Sequence, residues 1–492
     1  MCRSAFRLPA AFALPVIFPF FLFSQEQTGM RLERYAGIYS AAINPAYTAF
    51  SPNTWDLSLF SADVFADNNY AFLQKTSIQH ALQNTEEIVS VPDLLGEIPP
   101  PRTAIFLNYF DKRRKLHALL QARVAGPSFS VRFREKNVFG LTTALRTQVS
   151  SYGLPEILRY NNISDLPRNQ VIDIPPAGMA GMAWGEIGAH YSRRNTDRDL
   201  YTAFGISPKL LLGLEGFFSR ARSNFDYSQR LNDTVAFAGA RWDYGLTTSN
   251  LNDDGNIRAK VNGAGFGLDL GFTWVKPAEN VDMEEDYAWR LGASLLDLGF
   301  VRFRRNAERH RIVFDTTIAI SPADFPPRSD PHDLLGDVSK AFLSDPQASL
   351  QARSFLIGLP AALSLQFDAR LAPHVYASGV WVQGLALLRP TLRRSSTLAL
   401  VPRLEHRWWS ASLPLVLSDW QSFRMGFAAR LGVLYLGTDN LSSFFQKAKL
   451  TGSDFYIGLK INAFALHFGE WKKKPARGDG KKSKRKIKCY TF

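Results

Sequence analysis

Apolar and polar residues alternate over residues 263–275, GAGFGLDLGFTWV. One set of alternate positions holds Ala264, Phe266, Leu268, Leu270, Phe272 and Trp274, and the other holds Gly263, Gly265, Gly267, Asp269, Gly271 and Thr273. Because successive side chains of a β-strand point to opposite faces, this pattern predicts one apolar face and one small or polar face. The stretch is longer than the usual strand of about 5–6 residues. An outward apolar face that ends on Trp is typical of a strand that crosses a membrane.

The same alternation recurs along the chain and predicts about 14 strands, an even number as in single-chain outer-membrane barrels. The predicted strands are 55–65, 115–133, 138–149, 182–193, 200–217, 234–247, 263–275, 287–303, 355–369, 375–388, 395–405, 408–418, 423–435 and 454–463. Short links such as 134–137 and 370–374 alternate with long inserts such as 304–353, which is the loop asymmetry of such barrels. The sequence therefore predicts an all-β, transmembrane, antiparallel β-barrel. A soluble β-sandwich also alternates, but with shorter and fewer strands.

The predicted inner face is polar, since charged residues such as Arg424, Arg430 and Lys460 recur on that face only. A barrel of this size is wider than its own side chains can fill, so we expect a plug or an aqueous channel in the lumen. The composition excludes a helical membrane protein, because 46% hydrophobic residues and a mean hydropathy of −0.13 do not supply several apolar 20-residue runs.

The N-terminus predicts export. Residues 1–24 have two arginines followed by an apolar run, as in a secretory signal peptide. Residues 25–50, rich in small residues, are then expected to enter the lumen as a hatch, with a flexible leader as the alternative. The barrel is predicted at 51–469, and the expected location is the cell outer membrane, in contact with its lipid.

The charge is concentrated at the C-terminus. The chain carries a net +14, and residues 472–492 hold ten Lys and Arg against one Asp, a net +9. We expect 470–492 to be a periplasmic tail that either binds an anionic partner or stays a solvated, disordered charge run. The partner-binding candidates are Lys472, Lys473, Lys474, Lys481, Lys482, Lys484, Arg485, Lys486 and Lys488. Export argues against a nucleic-acid partner.

The sequence offers no catalytic constellation, so we expect no enzyme. The run Gly263–Gly267 lacks the final glycine and the following helix of a nucleotide-binding loop, and we expect no cofactor. The eight histidines show no paired metal-ligand spacing, so no metal is expected. Asp269, on the predicted inner face, is a candidate contact to a plug or a ligand.

Several phrases resemble known families. The segment Ala42–Ala46, AINPA, resembles the Asn-Pro-Ala segment of FadL-like long-chain fatty-acid transporters and of related barrels such as the outer-membrane shuttle component of type IX secretion. The chain is more similar to an uncharacterised family of Gram-negative outer-membrane barrels, a domain of unknown function. The phrases that carry this likeness are GPSF at 126–129, SLLDLG at 294–299, LPAALSLQ at 359–366, VPR at 401–403, LGTDN at 436–440 and the ending KCYTF.

The resemblance implies a 14-stranded barrel with an N-terminal hatch, and it makes Asn44, Pro45, Ala46 and Tyr47 ligand or hatch candidates. Two functions stay open. In the first, a small hydrophobic molecule passes through or binds in the lumen, which requires an apolar pocket beside Asn44–Tyr47. In the second, the barrel is a non-transporting partner in an envelope or secretion assembly.

Overall fold

The structure is a computed structural model. It describes residues 26–83, 88–90, 105–110, 116–159, 170–196, 199–229, 234–248, 260–278, 286–326 and 331–462. No helix among these residues is long and apolar enough to cross a membrane.

Fourteen antiparallel strands form one closed wall. In chain order they are β1 (Trp55–Asn68), β2 (His117–Ala125 and Ser128–Phe133), β3 (Asn137–Tyr152), β4 (Gly178–Thr196), β5 (Tyr201–Ala221), β6 (Gly263–Pro277), β7 (Tyr287–Phe303), β8 (Phe355–Gly358 and Ala362–Ala372), β9 (Val375–Gly384), β10 (Thr397–Glu405), β11 (Trp409–Ser412 and Leu415–Ser418), β12 (Ser422–Met425 and Phe427–Leu431), β13 (Leu434–Thr438) and β14 (Gly452–Asn462). The ring closes where β1 pairs with β14, from Asp56 opposite Asn462 to Asp67 opposite Gly452.

The wall is apolar outside and polar inside. In β10, Leu398, Leu400 and Leu404 are exposed, whereas Arg403 and Glu405 are only 3% and 2% exposed. This order is the reverse of a water-soluble protein and matches a barrel that faces lipid. The predicted all-β barrel of 14 strands is thereby confirmed.

Two of the predicted wall strands differ from the structure: one lies outside the ring, and the other is two strands. Residues 234–247 do form a strand (Val235–Thr247), but within the wall it pairs with only the last five residues of β5. Its other partners are strands outside the ring, at Phe225–Gln229 and Ala307–Ile320. That second strand lies inside the predicted long insert 304–353. Residues 423–435 form two strands, because Gly432 adopts a positive φ of 59° and turns the chain. The predicted count was right because these two errors cancel.

The two ends of the barrel differ. The end at Trp55 and Asn462, called here the near end, has short turns such as 134–136 and 432–433. The opposite far end carries the larger excursions, as the loop lengths predicted. These include a small sheet of Ala71–Thr76, Ile88–Ser90, Ile105–Tyr109 and Ala448–Leu450, an extension of the wall by Val171–Ile174, Phe225–Gln229, Val235–Thr247, Ala307–Ile320 and Leu350–Ala352, α-helices at Ile78–Gln83, Pro331–Leu343 and Ser442–Phe445, and 3₁₀ turns at Glu156–Arg159 and Pro322–Asp324.

Residues 26–50 lie inside the ring and are called the plug below. They form a helical turn at Thr28–Arg31 and 3₁₀ segments at Arg34–Ala42 and Pro45–Phe50. All but one of the twenty-five are buried, the exception being the half-buried Ala42, and they contact inner faces of the wall from β1 round to β13 and β14.

Candidate functional site in the lumen

The second half of the plug, residues 43–50, is shaped by its own sequence. Asn44 is extended, with φ −156° and ψ 110°, as expected of a residue before proline. Its side-chain Oδ1 accepts a hydrogen bond from the Ala46 backbone N–H at 2.9 Å and caps the 3₁₀ segment that starts at Pro45. The Asn-Pro-Ala segment is therefore a compact turn with its own cap.

This turn packs directly against the backbone of two wall strands, at glycine positions. A Cβ placed on Gly205 of β5 would lie 2.3 Å from the Pro45 carbonyl carbon and 2.4 Å from the Ala46 nitrogen. A Cβ on Gly271 of β6 would lie 2.2 Å from Asn44 Oδ1. The plug can sit this close to the wall only because those positions have no side chain. The small inner face predicted for 263–271 thus leaves room for the plug.

Asn44 and Tyr47 also bind the wall directly. Asn44 Nδ2 donates to the Phe272 carbonyl oxygen at 3.2 Å and to Gln366 Oε1 at 2.9 Å. The guanidinium of Arg290 lies 3.8 Å from the centroid of the Tyr47 ring, a cation–π contact. Burial raises the pKa of Tyr47 to about 12, so its hydroxyl stays neutral at physiological pH.

The first half of the plug, residues 26–34, is held mainly by charge. Glu26 accepts two hydrogen bonds from Arg394, at 2.8 and 2.7 Å, in a forked pair. Glu33 accepts from Arg430 Nε at 3.1 Å. Burial disfavours ionised Glu26, but the Arg394 guanidinium outweighs burial, and the pKa of Glu26 is lowered from its ordinary value of 4.5. Glu26 is therefore the ionised partner of a loop arginine, and Glu33 is bound by an arginine of the wall.

Backbone groups of the plug are bound as well. Lys460 of β14 is fully buried, and its ammonium donates to the carbonyl oxygens of Tyr35 and Ala36. Arg290 Nη2 donates to the Leu32 carbonyl oxygen at 2.9 Å. These contacts satisfy carbonyls that the irregular plug cannot satisfy itself.

A chamber remains between the plug and the wall. Its residues are mostly polar or charged: Gln27, Arg31, Ile38, Tyr39, Ala41, Ala42, Ser61, Asp63, Gln121, Arg123, Ala125, Ser128, Thr142, Arg146, Glu186, Ser207, Lys209, Asp269, Leu296, Asp297, Pro360 and Arg394. Asp269 lies here. Its Oδ2 is 2.7 Å from Lys209 Nζ, and its Oδ1 accepts from the Asp297 backbone N–H at 2.7 Å.

The sequence candidates thus fall in two places. Asn44, Pro45, Ala46 and Tyr47 contact the wall and do not line the chamber, whereas Asp269 lines the chamber and pairs with Lys209. The nine basic candidates of the tail lie outside the described residues, as does Cys489.

Sequence reasoning missed the residues that carry the plug's charge contacts: Glu26, Glu33, Arg34, Arg394 and Arg430. The available signal was the recurrence of charges on one face of the strands, which shows that the lumen is polar. It does not show which charge meets which, because the partners are hundreds of residues apart.

One other cluster has donor atoms close enough for a metal ion. Single ligand atoms of Asp67, His117 and Asp419 lie within 4.8 Å of one another near the far end. Both carboxylates already have an arginine, however: Arg424 binds Asp67, and Arg393 Nη2 lies 2.9 Å from Asp419 Oδ2. The cluster is therefore explained as a buried ion-pair network.

Comparison with known proteins gives one family. The profile of a family of unknown function, DUF5723, matches residues 45–439. No curated protein matches the chain. Among solved structures, a deletion mutant of TodX, a monoaromatic hydrocarbon channel, is similar over 87% of this chain and 94% of its own, at 10% identity and a TM-score of 0.40. A FadL homologue from Pseudomonas aeruginosa is similar over 86% of this chain and 93% of its own, at 10% identity and a TM-score of 0.21. Scores this low say nothing of what this chain does.

Proposed function

The chain belongs to the family of unknown function DUF5723, and we propose that it is an outer-membrane channel for small molecules that its own plug keeps closed. The exposed leucines of β10 and the outward Phe266, which is 53% exposed, support contact with membrane lipid. The proposal gives the chain no catalytic step.

The observation that carries this proposal is the way the plug is attached. It fills the lumen, yet no strand of the plug joins the wall, and its contacts are hydrogen bonds, ion pairs and packing. A wall that closes on itself without the plug can keep its shape when the plug moves. The space now filled by residues 26–50 would then become the path.

The cargo is a separate question. Of the two functions that the sequence left open, the first required a small hydrophobic molecule and an apolar pocket beside Asn44–Tyr47. In the described part of the chain, those four side chains are packed against the wall, and the chamber beside the plug is lined largely by polar groups. A hydrophobic cargo thus stays a prediction, and its path would have to open by movement of the plug.

Flux through proteoliposomes tests the proposal. The full mature chain is compared with a variant that lacks residues 26–50, and heat-modifiable mobility in gel electrophoresis verifies that each barrel is folded. A small sugar and a small aromatic hydrocarbon serve as hydrophilic and hydrophobic probes. We expect slow flux through the full chain and fast flux of at least one probe through the variant.

The opposite result would be a folded variant that passes neither probe. It would favour the non-transporting partner barrel, in which the lumen is structural. Co-purification with and without residues 472–492 would then be the next experiment, since the basic tail is the predicted contact to an anionic periplasmic partner.

A further inference from the structure

Most charges of the lumen chamber are already paired. Three cations bind four carboxylates: Arg146 pairs with Glu186 and Asp297, Lys209 with Asp269 and Asp297, and Arg394 with Asp297 and Glu26. The distances run from 2.7 to 3.4 Å. This network needs no ligand, and it carries one more negative charge than positive.

Next to this network lie charges that form no ion pair within the described ranges: in the strand register Arg123 is the neighbour of Asp63 on one side and of Arg146 on the other. Arg31 of the plug is only 4% exposed, but its guanidinium makes no hydrogen bond or ion pair with the residues that the structure describes. Arg123 of β2 likewise makes none within that part of the chain, and its Nε is buried and unpartnered. Asp63 of β1 is 1% exposed and has one carboxylate oxygen, Oδ1, without a partner.

These three groups leave a local surplus of positive charge. Asp63 supplies one negative charge for the two guanidiniums, and it does not approach either within ion-pair distance. Burial and the positive charge of Arg123 lower the pKa of Arg31 to about 10, which still leaves it charged at neutral pH. Buried charges of this kind are normally paired.

We propose that the chamber binds a small hydrophilic oxyanion of the phosphate class between Arg31 and Arg123, as a ligand of the closed channel. A guanidinium presents a planar fork of N–H donors that fits two oxygens of such an anion. The hydroxyls of Ser128 and Thr142 also line the chamber, but they already donate to the carbonyl oxygens of Gly126 and Gly188, so the arginines are the donors for the anion.

The lining of the chamber restricts the ligand. It is formed mostly by polar and charged side chains, which suit an ion such as phosphate and disfavour a long hydrocarbon chain. The surplus carboxylate of the ion-pair network repels an anion from that network and favours the place between Arg31 and Arg123. The ligand is therefore the ion itself, held where the plug faces the wall.

The position of the ligand has a consequence for the plug. Arg31 belongs to the plug and Arg123 to β2, so an oxyanion bound to both joins the plug to the wall. The role of the bound anion rests on the proposed function: if the protein is a channel closed by its plug, a bound anion favours the closed state. Binding itself is measured without any flux.

The test is calorimetric titration of the folded, full-length protein in detergent with sodium phosphate, against sodium chloride at equal ionic strength. We expect saturable phosphate binding by the wild type and at least about tenfold weaker binding by Arg31→Gln and by Arg123→Gln, as for loss of a charge-assisted hydrogen bond. The matched control is Arg305→Gln, an exposed far-end arginine, which should bind like the wild type.

Arg31→Lys separates the contribution of the guanidinium's forked N–H donors from that of its positive charge. It keeps the positive charge and should bind phosphate more weakly than the wild type but more tightly than Arg31→Gln. Absence of phosphate binding by the wild type, or equal binding by folded Arg31→Gln, would overturn the proposal and leave water as the occupant. Either result leaves the flux experiment untouched, so the two proposals fail separately.

Discussion

The two halves of the plug are held in different ways. Residues 43–50 fit a surface: Asn44-Pro45-Ala46 lies against Gly205 and Gly271 at distances that exclude any side chain there. Residues 26–34 are held by long charged side chains from the wall and its loops, such as Arg394 and Arg430. Close fit dominates in residues 43–50 and charge in residues 26–34, although Gly29 is also packed too closely against Ala428 to carry a side chain.

The two modes of attachment indicate which half of the plug is easier to release. A close fit to the backbone has no titratable group. An ion pair requires that both partners stay ionised, so we expect acidification to weaken the first half before the second. The chamber, with the unpaired Arg31, lies beside the half that is held by charge.

The largest effect should come from breaking a buried pair in the first half. Glu33→Gln leaves Arg430, which is 1% exposed, buried without its countercharge. We expect a loss of about 3–5 kcal/mol in the free energy of unfolding, measured by urea titration in detergent. Exposed Glu135→Gln in a near-end turn is the control; a loss as small as the control's would mean that charge does not hold this half.

The next effect tests shape in the second half. Gly205→Ala places a Cβ 2.3 Å from the Pro45 carbonyl carbon, so the plug or the strand must shift, at about 1–3 kcal/mol. Gly379→Ala in β9 is the matched control, because a Cβ there has nothing within 4 Å. Urea unfolding compares the two, and similar stability of both would contradict the close fit.

A smaller effect should follow from Asn44→Ala. It removes the cap on Ala46 N–H and the hydrogen bond to Gln366, which together are worth about 1–2 kcal/mol. Asn53→Ala is a useful comparison, since the buried side-chain amide of Asn53 has no partner among the described residues. We expect the Asn53 change to cost less, and the reverse order would show that the Asn44 contacts are weak.

The smallest effect is on pH dependence. Because the pKa of Glu26 is lower in the folded protein than its ordinary 4.5, the stability that it adds is present above that value and is lost as the pH falls through the lowered value. The stability of the wild type minus that of Glu26→Gln should therefore shrink with acidification. A constant difference across the acid range would mean that Arg394 does not stabilise the ionised form of Glu26.

The sequence predicted the fold well because a barrel wall is a local pattern. The alternation in 263–275 identifies the residues that face lipid: Phe266 lies on the outer face and Asp269 on the inner face, as predicted. Local patterns failed where strand pairing determines whether a strand belongs to the ring. The strand at 235–247 alternates like a wall strand, and only its pairing partners show that it extends the wall. The alternation at 423–435 runs through the Gly432 turn unbroken.

The site was harder to predict for the same reason. Asn44 and Pro45 were singled out by a short phrase, and their close fit to the wall depends on glycines more than 150 residues away. The pairs Glu26–Arg394 and Glu33–Arg430 are set by closure of the ring, which no local pattern records. Unpaired charges such as Arg31 are visible only when all neighbours are in place.

The most direct test of the plug is a disulfide between plug and wall. Thr48 Oγ1 of the plug lies 2.6 Å from Ser192 Oγ of β4, so Thr48→Cys with Ser192→Cys, in a chain without Cys489, should crosslink in isolated membranes under mild oxidation. Mass spectrometry of the digested protein identifies the linked peptides. We expect nearly complete crosslinking of the folded protein, and a folded barrel with both thiols free would contradict the seated plug.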